Sequence, residues 1–284
     1  MSRFARPRRS VLYMPGANAR ALQKARGLSA DALIFDLEDA VAPAQKATAR
    51  EQVVRAVADG GYGRSECVIR VNGLQTVWAE EDLAAAATVT ADAVLIPKVE
   101  GPDALDRAAA MLPKGTALWA MMETPAGILN AASIAAHPGM ACLVMGTNDL
   151  VKDLRVTPGP DRTALMLSLQ QTVLAARAAG IAAVDGVFTD LDDPDGFESE
   201  CRQGADLGFD GKTLIHPRQV EPANRLFGPD PAAVAAARHL IAAWQQADGD
   251  ARGVVAIDGR MVEALHIAQA RRLVAQAEAI AQAD

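Results

Sequence analysis

The sequence has little of what marks several large classes of protein. Aromatic residues make up only 4% of the chain, and its 3 cysteines (Cys67, Cys142 and Cys201) are widely spaced, with no CxxC pair. A disulfide framework is therefore not expected. No apolar run approaches the length of a membrane span, and no apolar signal core follows the basic start of the chain. We expect a soluble, cytoplasmic protein with reduced thiols.

Basic charge and nucleotide-binding motifs are also missing. The formal net charge is −7, whereas nucleic-acid binders need a basic face, so no nucleic-acid partner is expected. Neither GxGxxG nor GxxxxGK[ST] occurs, which argues against dinucleotide-binding and P-loop folds. There is also no GxSxG motif and no pair of histidines at metal-ligand spacing.

The chain does contain apolar, strand-like runs that alternate with alanine-rich amphipathic segments. The predicted strands are residues 10–13, 32–35, 67–71, 93–96, 117–122, 142–145, 182–187 and, more weakly, 211–214. The predicted helices are residues 17–27, 46–58, 78–87, 102–111, 127–136, 161–179 and 195–208. About eight βα repeats favour a closed parallel barrel over an open sheet. We predict an α/β fold, a TIM (β/α)8 barrel with a C-terminal helical extension.

The pattern changes near residue 227. Residues 231–247 predict a long helix, residues 249–257 an extended or loop segment, and residues 261–283 a second long helix. We assign residues 1–226 to the catalytic barrel. Residues 227–284 are then an extension for oligomerisation and for completion of the active site.

Two consecutive apolar runs each end near a carboxylate, Glu123 and Asp149. A charge at the end of a buried strand costs free energy unless it is paired or binds a metal. In a parallel barrel these two carboxylates would lie at the rim where barrel enzymes carry their active sites. Oxygen ligands favour Mg²⁺, with Mn²⁺ possible. The sequence therefore predicts a divalent-metal site at Glu123 and Asp149.

Other strand ends add further charged groups to the same rim. Asp36 and Glu38 follow the second predicted strand, Arg70 ends the third and Lys98 follows the fourth. Arginine can bind a carboxylate through two parallel hydrogen bonds, so Arg70 is predicted to hold an acidic substrate. Lys98 would balance the acidic rim or meet an anion. A Schiff-base role for Lys98 is the weaker alternative.

A purely structural explanation would make each of these groups a helix cap or a rim salt bridge. That explanation suits a single residue such as Asp39 or Asp190. It suits the whole set less well, because cations and anions alternate around one opening. For His137, His239 and His266, core or surface roles are expected.

The motifs together resemble those of the citrate lyase beta-subunit-like family, which belongs with malyl-CoA and citramalyl-CoA lyases in the HpcH/HpaI aldolase group. They are RSVLYMPG (9–16), FDLEDAV (35–41), RVNG (70–73), PK (97–98), ETP (123–125), GTNDL (146–150) and GKTLIHP (211–217). The resemblance covers nearly the whole chain in order. It implies a TIM barrel that binds Mg²⁺ through Glu123 and Asp149.

The resemblance also implies roles for other residues. Arg70 would hold the carboxylate of an α-keto acid or β-hydroxyacyl substrate, and Asp36 and Glu38 would steady the metal's waters and the pocket. The residues implied to line the coenzyme A side of the cleft are Arg9, Tyr13, Lys212 and His216. Lys98 also matches a position of the family, and the only role that we assign to it is electrostatic: its positive charge would balance the acidic rim or meet an anion.

The C-terminal extension departs from the family at one position. The related lyases have Gly-x-Met-Ile-Asp, whose aspartate acts as an acid or base in a neighbouring subunit's site. Here Gly259 begins a segment that ends in Glu263. A glutamate can perform the same proton transfer if the backbone allows for its longer reach. We assign this role to Glu263.

Three functional hypotheses follow. The first is a Mg²⁺-dependent lyase that cleaves a malyl-, citramalyl- or citryl-CoA type thioester to an α-keto acid and acetyl-CoA. The second keeps the site but makes the enzyme a malyl-CoA-type thioesterase or a CoA-independent pyruvate aldolase. The third is a non-catalytic subunit that binds thioesters. The expected partners are acyl-CoA, an α-keto acid and further copies of the chain, as a trimer or hexamer, with no membrane.

Overall fold

A computed structural model describes residues 6–283. Those residues form two compact units, one of which is Arg8–Phe227. The other comprises the described residues from Gly228 onward together with Arg6 and Pro7. None of the described helices is long and apolar enough to cross a membrane.

The larger unit is a closed barrel of eight parallel strands in sequence order. The strands are β1 (Ser10–Pro15), β2 (Ala32–Asp36), β3 (Glu66–Arg70), β4 (Ala93–Ile96), β5 (Ala117–Met122), β6 (Met140–Met145), β7 (Ala182–Asp185) and β8 (Gly211–Leu214). Strand β8 pairs with β1 and closes the barrel. The predicted TIM barrel is confirmed, and each predicted strand overlaps an observed one.

Helices surround the barrel. They are α1 (Ala19–Ala25), α2 (Lys46–Asp59), α3 (Ala79–Ala86), α4 (Pro102–Met111), α5 (Pro125–Leu129), α6 (Ala131–Ala135), α7 (Thr147–Leu154), α8 (Met166–Ala179), α9 (Pro194–Leu207) and α10 (Val220–Phe227). Short 3-10 turns occupy Pro43–Gln45, Thr163–Leu165 and Pro217–Gln219. The sequence did not predict α7 or α10, and it merged α5 and α6 into one helix.

Alternate residues of each strand face the barrel interior, as the period of two of a strand requires. This inner layer contains Trp119, which is fully buried, at the centre of an apolar cluster with Ile34 and Leu95. The opposite strand faces pack against the helices and form the larger cluster of the core. Strands β2 and β3 end in charged residues, Asp36 and Arg70, so both residues lie at the carboxyl end of the barrel.

The smaller unit contains α11 (Pro231–Gln246), α12 (Gly249–Arg252), β9 (Val254–Ile257), β10 (Arg260–Glu263) and α13 (Ala264–Ala283). Strands β9 and β10 form an antiparallel hairpin. Trp244, Ile257, Val262 and Ile267 form a small core of their own. Strand β9 lies within residues 249–257, which were predicted as an extended or loop segment. The last helix begins at Ala264 and not at residue 261, because residues 261–263 pair with β9.

Candidate active site

Strand register brings Asp36 and Arg70 together at the carboxyl end of the barrel. The two residues are partners in the β2–β3 ladder, so their side chains leave the sheet on the same face. Nε and Nη2 of Arg70 donate to the two carboxylate oxygens of Asp36 at 2.7 and 2.6 Å. The ring of Tyr13 lies 4.7 Å from the guanidinium carbon. This clamp fixes the orientation of Arg70.

The clamp changes the predicted roles of two residues. Asp36 is fully buried, so it cannot contact a substrate directly, and its role is to hold Arg70. One edge of the guanidinium is already occupied by Asp36. A substrate carboxylate would have to meet the other edge, where Nη1 lies 2.9 Å from Oε2 of Glu38.

Glu38 is a buried carboxylate at the edge of this cluster. Within the described residues its Oε2 takes part in no hydrogen bond, despite its proximity to Arg70. Burial raises the pKa of Glu38 to about 7, against the opposing effects of Arg70 and Lys98, and Asp39 adds to the rise. Glu38 is therefore able to exchange a proton near neutral pH.

Glu123 follows β5 and is held by the backbone of the neighbouring strand end. The N–H of Lys98 donates to Oε1 of Glu123 at 2.7 Å. Lys98 has a φ of +50°, an uncommon conformation for a residue other than glycine, which is often found at functional sites. Burial, followed by the nearby charge of Glu38, raises the pKa of Glu123 to about 7. A cation at this position would be favoured, because it would compensate the buried negative charge.

Asp149 lies in the first turn of α7 and not at the end of β6. The ammonium of Lys98 is 3.8 Å from Oδ2 of Asp149 and 3.6 Å from Oε1 of Glu38. Lys98 thus links both predicted metal ligands, Glu123 through its backbone and Asp149 through its side chain. The carboxylates, Glu38 first, raise the pKa of Lys98 against the opposing effect of burial. A raised pKa argues against a Schiff-base role for this amine.

The donor set fits a magnesium ion. Among the residues that the structure describes, no group of three or more His, Cys, Asp or Glu side chains could hold a metal on its own. Magnesium is commonly bound by one or two carboxylates and keeps several waters. Glu123 and Asp149 supply such a pair, and both are in contact with Lys98.

A cavity of about 380 Å³ adjoins the cluster. Its lining residues come from the loops after β2, β3 and β4 and include Glu38, Asn72, Trp78 and Lys98. Its volume is within the range of small-molecule sites. The candidate site is therefore open to a ligand on the β2–β4 side.

The residues predicted to line a coenzyme A cleft have different surroundings. Arg9 lies before β1, at the opposite end of the barrel, and is paired with Asp31 at 2.8 Å. Lys212 is fully buried, and its ammonium lies 3.2 Å from Asp185 and 2.6 Å from Glu200. Both assignments are corrected: these cations stabilise the barrel, and neither is presented to its carboxyl-end rim.

Tyr13 and His216 do lie near the carboxyl ends of their strands. Tyr13 is half-buried beneath Arg70, and its hydroxyl lies 3.4 Å from the sulfur of Met121. His216 is exposed after β8, where its Nδ1 accepts the N–H of Arg218 at 3.1 Å. A coenzyme role for either residue stays a prediction.

Glu263 belongs to the smaller unit. It is the last residue of β10, its side chain is exposed, and its N–H donates to Nδ1 of His266 at 3.0 Å. The proposed transfer of a proton by Glu263 in a neighbouring subunit stays a prediction.

Sequence reasoning missed Lys46, the first residue of α2. It is buried, and its ammonium donates three hydrogen bonds beneath the site. A positive charge in the first turn of a helix opposes the helix dipole. That local conflict was the available signal, since departures from local preference concentrate at functional sites.

A closed parallel barrel with a carboxylate pair, an arginine and a lysine at its carboxyl-end rim is the architecture of an enzyme. A model of the family described as HpcH/HpaI aldolase/citrate lyase matches residues 9–217. The chain belongs to this family.

Two relatives match over nearly the full length of the chain. The chain is 52% identical over 281 residues to a (3S)-malyl-CoA thioesterase from Cereibacter sphaeroides, with 99% of this chain and 98% of the relative covered. It is 38% identical over 287 residues to citrate lyase subunit beta from Escherichia coli, with 97% and 95% covered.

Solved structures show the same architecture. The protein CitE from Mycobacterium tuberculosis, in complex with magnesium, acetoacetate and coenzyme A, superposes with a TM-score of 0.81. That chain is 30% identical, and the match covers 97% of this chain and 99% of CitE.

Proposed function

We propose that this chain is a Mg²⁺-dependent enzyme that hydrolyses the coenzyme A thioester of a short hydroxy dicarboxylic acid of the malyl type. The observation that carries the proposal is the rim cluster: Glu38 contacts Arg70 and Lys98, and Lys98 in turn contacts Glu123 and Asp149. A substrate with a carboxylate and a neighbouring hydroxyl suits such a cluster. Hydrolysis is favoured because the similarity to malyl-CoA thioesterases is higher than that to citrate lyase.

Each residue of the cluster has a chemical role in this proposal. Glu123 and Asp149 hold the metal, and Arg70 attracts the substrate carboxylate while Asp36 keeps it oriented. When bound, magnesium supplies Lewis acidity toward the carboxylate and hydroxyl of the substrate. Glu38 takes the proton of the attacking water, since it is a carboxylate in the wall of the cavity beside Arg70. The water oxygen bonds to the thioester carbon, the C–S bond breaks, and the thiol leaves with a proton.

Carbon–carbon cleavage is the second candidate, favoured by the similarity to citrate lyase subunit beta. In this reaction a base removes the proton of the substrate hydroxyl. The adjacent carbon–carbon bond breaks, which releases an α-keto acid and the enolate of an acetyl thioester. Glu263 of a neighbouring copy would protonate the enolate carbon. The same arginine and metal ligands serve both reactions.

The test is an assay of malyl-, citramalyl- and citryl-CoA with and without magnesium, in which free thiol and keto acid are both measured. Hydrolysis predicts stoichiometric free thiol with the hydroxy acid intact, abolished by chelation of magnesium. Keto acid without free thiol would establish the lyase instead. If none of the three thioesters reacts, the proposal for this substrate class is wrong.

A further inference from the structure

We infer that Lys46 is a positioning residue of the active site: it fixes the backbone between the two carboxylates that hold Arg70. The inference rests on the proposed function in one respect: one of its tests measures kcat/KM for malyl-CoA. Its structural basis is a hydrogen-bond network that contains neither of the two predicted metal ligands.

The network begins at the ammonium group of Lys46. Nζ donates to the carbonyl oxygens of Leu37 and Glu38, both at 2.8 Å, and to Oδ1 of Asn72 at 2.6 Å. These bonds use all three donors of the group. The ring of Trp78 lies 5.2 Å from Nζ. Lys46 is only 6% exposed, so its ammonium group is bonded to protein atoms and not to bulk solvent.

Asn72 extends the network to the next strand end. Its Nδ2 donates to the carbonyl oxygen of Leu37 at 2.8 Å and to Oδ2 of Asp82 at 2.6 Å. Asp82 is fully buried and also accepts a bond from Nε of Arg50 at 2.8 Å. The carbonyl of Leu37 therefore receives two donors, Lys46 and Asn72, from opposite sides of the β2–α2 loop.

Leu37 is the point at which this network reaches the site. It lies between Asp36 and Glu38, and its own N–H donates to the carbonyl of Arg70 at 2.9 Å. Lys46 thus holds the peptide that sets the distance and direction of both carboxylates relative to the Arg70 guanidinium. Lys46 also lies in the wall of the cavity that adjoins the site, but its ammonium donates to protein acceptors, so its effect on a substrate is indirect.

The bonding of Lys46 supports a positioning role over simple charge balance. All three of its hydrogen-bond acceptors are uncharged oxygens, which compensate a buried ammonium less well than a carboxylate would. Burial lowers the pKa of Lys46, and the nearby charges of Asp36, Glu38 and Asp82 oppose that effect. An apolar side chain would fill the same space, but it would leave the Leu37 and Glu38 carbonyls without these donors.

The test compares Lys46→Met and Lys46→Arg with the matched control Lys114→Met, an exposed lysine before the amino end of β5. For each folded variant we would measure magnesium affinity, pyruvate affinity at saturating magnesium, and kcat/KM for malyl-CoA. Lys46→Met should lower pyruvate affinity and kcat/KM roughly 10- to 100-fold, as misplacement of a binding group does. Magnesium affinity should not change, because its ligands lie beyond β5 and β6. Lys46→Arg should recover part of the loss.

Wild-type pyruvate affinity in Lys46→Met, or an equal loss of magnesium and pyruvate affinity, would overturn the inference. If Lys46→Met does not fold, Asn72→Ala replaces it, with the same selective loss expected. If Lys46→Met loses pyruvate affinity selectively, but the wild-type protein cleaves no thioester, the proposed function is wrong and the inference about Lys46 stands. If the wild-type protein binds no pyruvate, Arg70 does not hold a keto-acid carboxylate, and the inference that Lys46 positions Arg70 for this purpose is overturned.

Discussion

At the scale of single residues, the two buried carboxyls Glu38 and Glu123 make the metal-free site sensitive to pH. Both are almost inaccessible to solvent, and burial raises the pKa of each to about 7. The folded protein therefore binds more protons than the unfolded chain between their usual pKa values and neutrality. Ionisation of either group costs free energy of folding when no metal is bound.

The free energy of unfolding of the metal-free protein should accordingly fall as the pH rises from about 5 to about 8. The loss should be about 3 kcal/mol for one such carboxyl, at about 1.4 kcal/mol per pKa unit, and less than twice that for the pair, since the two groups titrate together. Urea unfolding in the presence of a chelator, at several pH values, measures it. Glu123→Gln should flatten the pH dependence, whereas the exposed control Glu51→Gln should not. The same slope in Glu123→Gln and the wild-type protein would contradict the assigned pKa.

Gly146 is the second residue on which the position of Glu123 depends. A Cβ atom at Gly146 would collide with Cβ and Oε2 of Glu123. Gly146→Ala should therefore displace the carboxylate and weaken magnesium binding roughly 10- to 100-fold. Gly27→Ala is the control, because its nearest neighbour would lie 3.8 Å away in ordinary contact. Calorimetric titration with magnesium measures both, and an unchanged affinity in Gly146→Ala would argue against the assigned ligand.

The sequence predicted which charged residues share the rim, because strand ends of a parallel barrel converge whatever their side chains. It did not predict that Asp36 occupies one edge of Arg70, since that pairing depends on the register between β2 and β3. Nor did it predict the burial of Lys212. An alternating strand with one buried lysine gives no indication of which face the lysine is on.

At the scale of elements, short helices were the main difficulty. Helix α7 follows β6 directly, and its 8 residues are shorter than the window over which helical periodicity is normally recognised, although Leu150, Val151 and Leu154 have helical spacing. As a result, Asp149 was placed at a strand end, whereas it lies in the first turn of α7. A carboxylate there is favoured by the helix dipole. Strand β9 falls within the predicted extended or loop segment, but β10 was assigned to the last helix, since a strand of 4 residues gives little periodic signal.

Helix α9 is joined to the barrel by a buried ionic cluster. Lys212 on β8 contacts Asp185 on β7 and Glu200 on α9, and Arg162 donates to both oxygens of Asp185 at 2.9 Å. The charges compensate one another across the strand–helix interface. Removal of one cation would leave buried carboxylates without a partner.

Lys212→Met should therefore lower the free energy of unfolding by roughly 3 to 5 kcal/mol, as broken buried ion pairs do. Lys114→Met, at an exposed site, should change it little. Denaturant unfolding gives the stabilities, and the KM for the thioester is measured on the folded fraction. A large rise in KM with unchanged stability would restore Lys212 to the coenzyme site and overturn our correction.

At the scale of the whole molecule, the chain divides after Phe227 into a barrel and a smaller unit with its own core. The sequence pattern also changes near residue 227, because the βα alternation ends there. Glu263 belongs to the smaller unit. Its proposed role in a neighbouring copy requires an oligomer in which two chains complete one site.

Subunit mixing tests that arrangement. For the carbon–carbon cleavage reaction, Asp149→Ala removes a metal ligand and Glu263→Gln removes the proposed proton donor, so each variant alone should lack lyase activity. Mixed oligomers should regain activity if Glu263 acts in trans, because some sites then contain both intact groups. No recovery on mixing would place Glu263 in its own subunit's site. Full activity of Glu263→Gln alone would show that Glu263 is dispensable.

The most direct test of the account is a magnesium titration of the wild-type protein, Glu123→Ala and Asp149→Ala by calorimetry, with circular dichroism to confirm the fold. We predict one saturable magnesium site in the wild-type protein and none in either variant, with the secondary structure intact. Unchanged magnesium affinity in both variants would contradict the assignment of the metal site, and with it the proposed function.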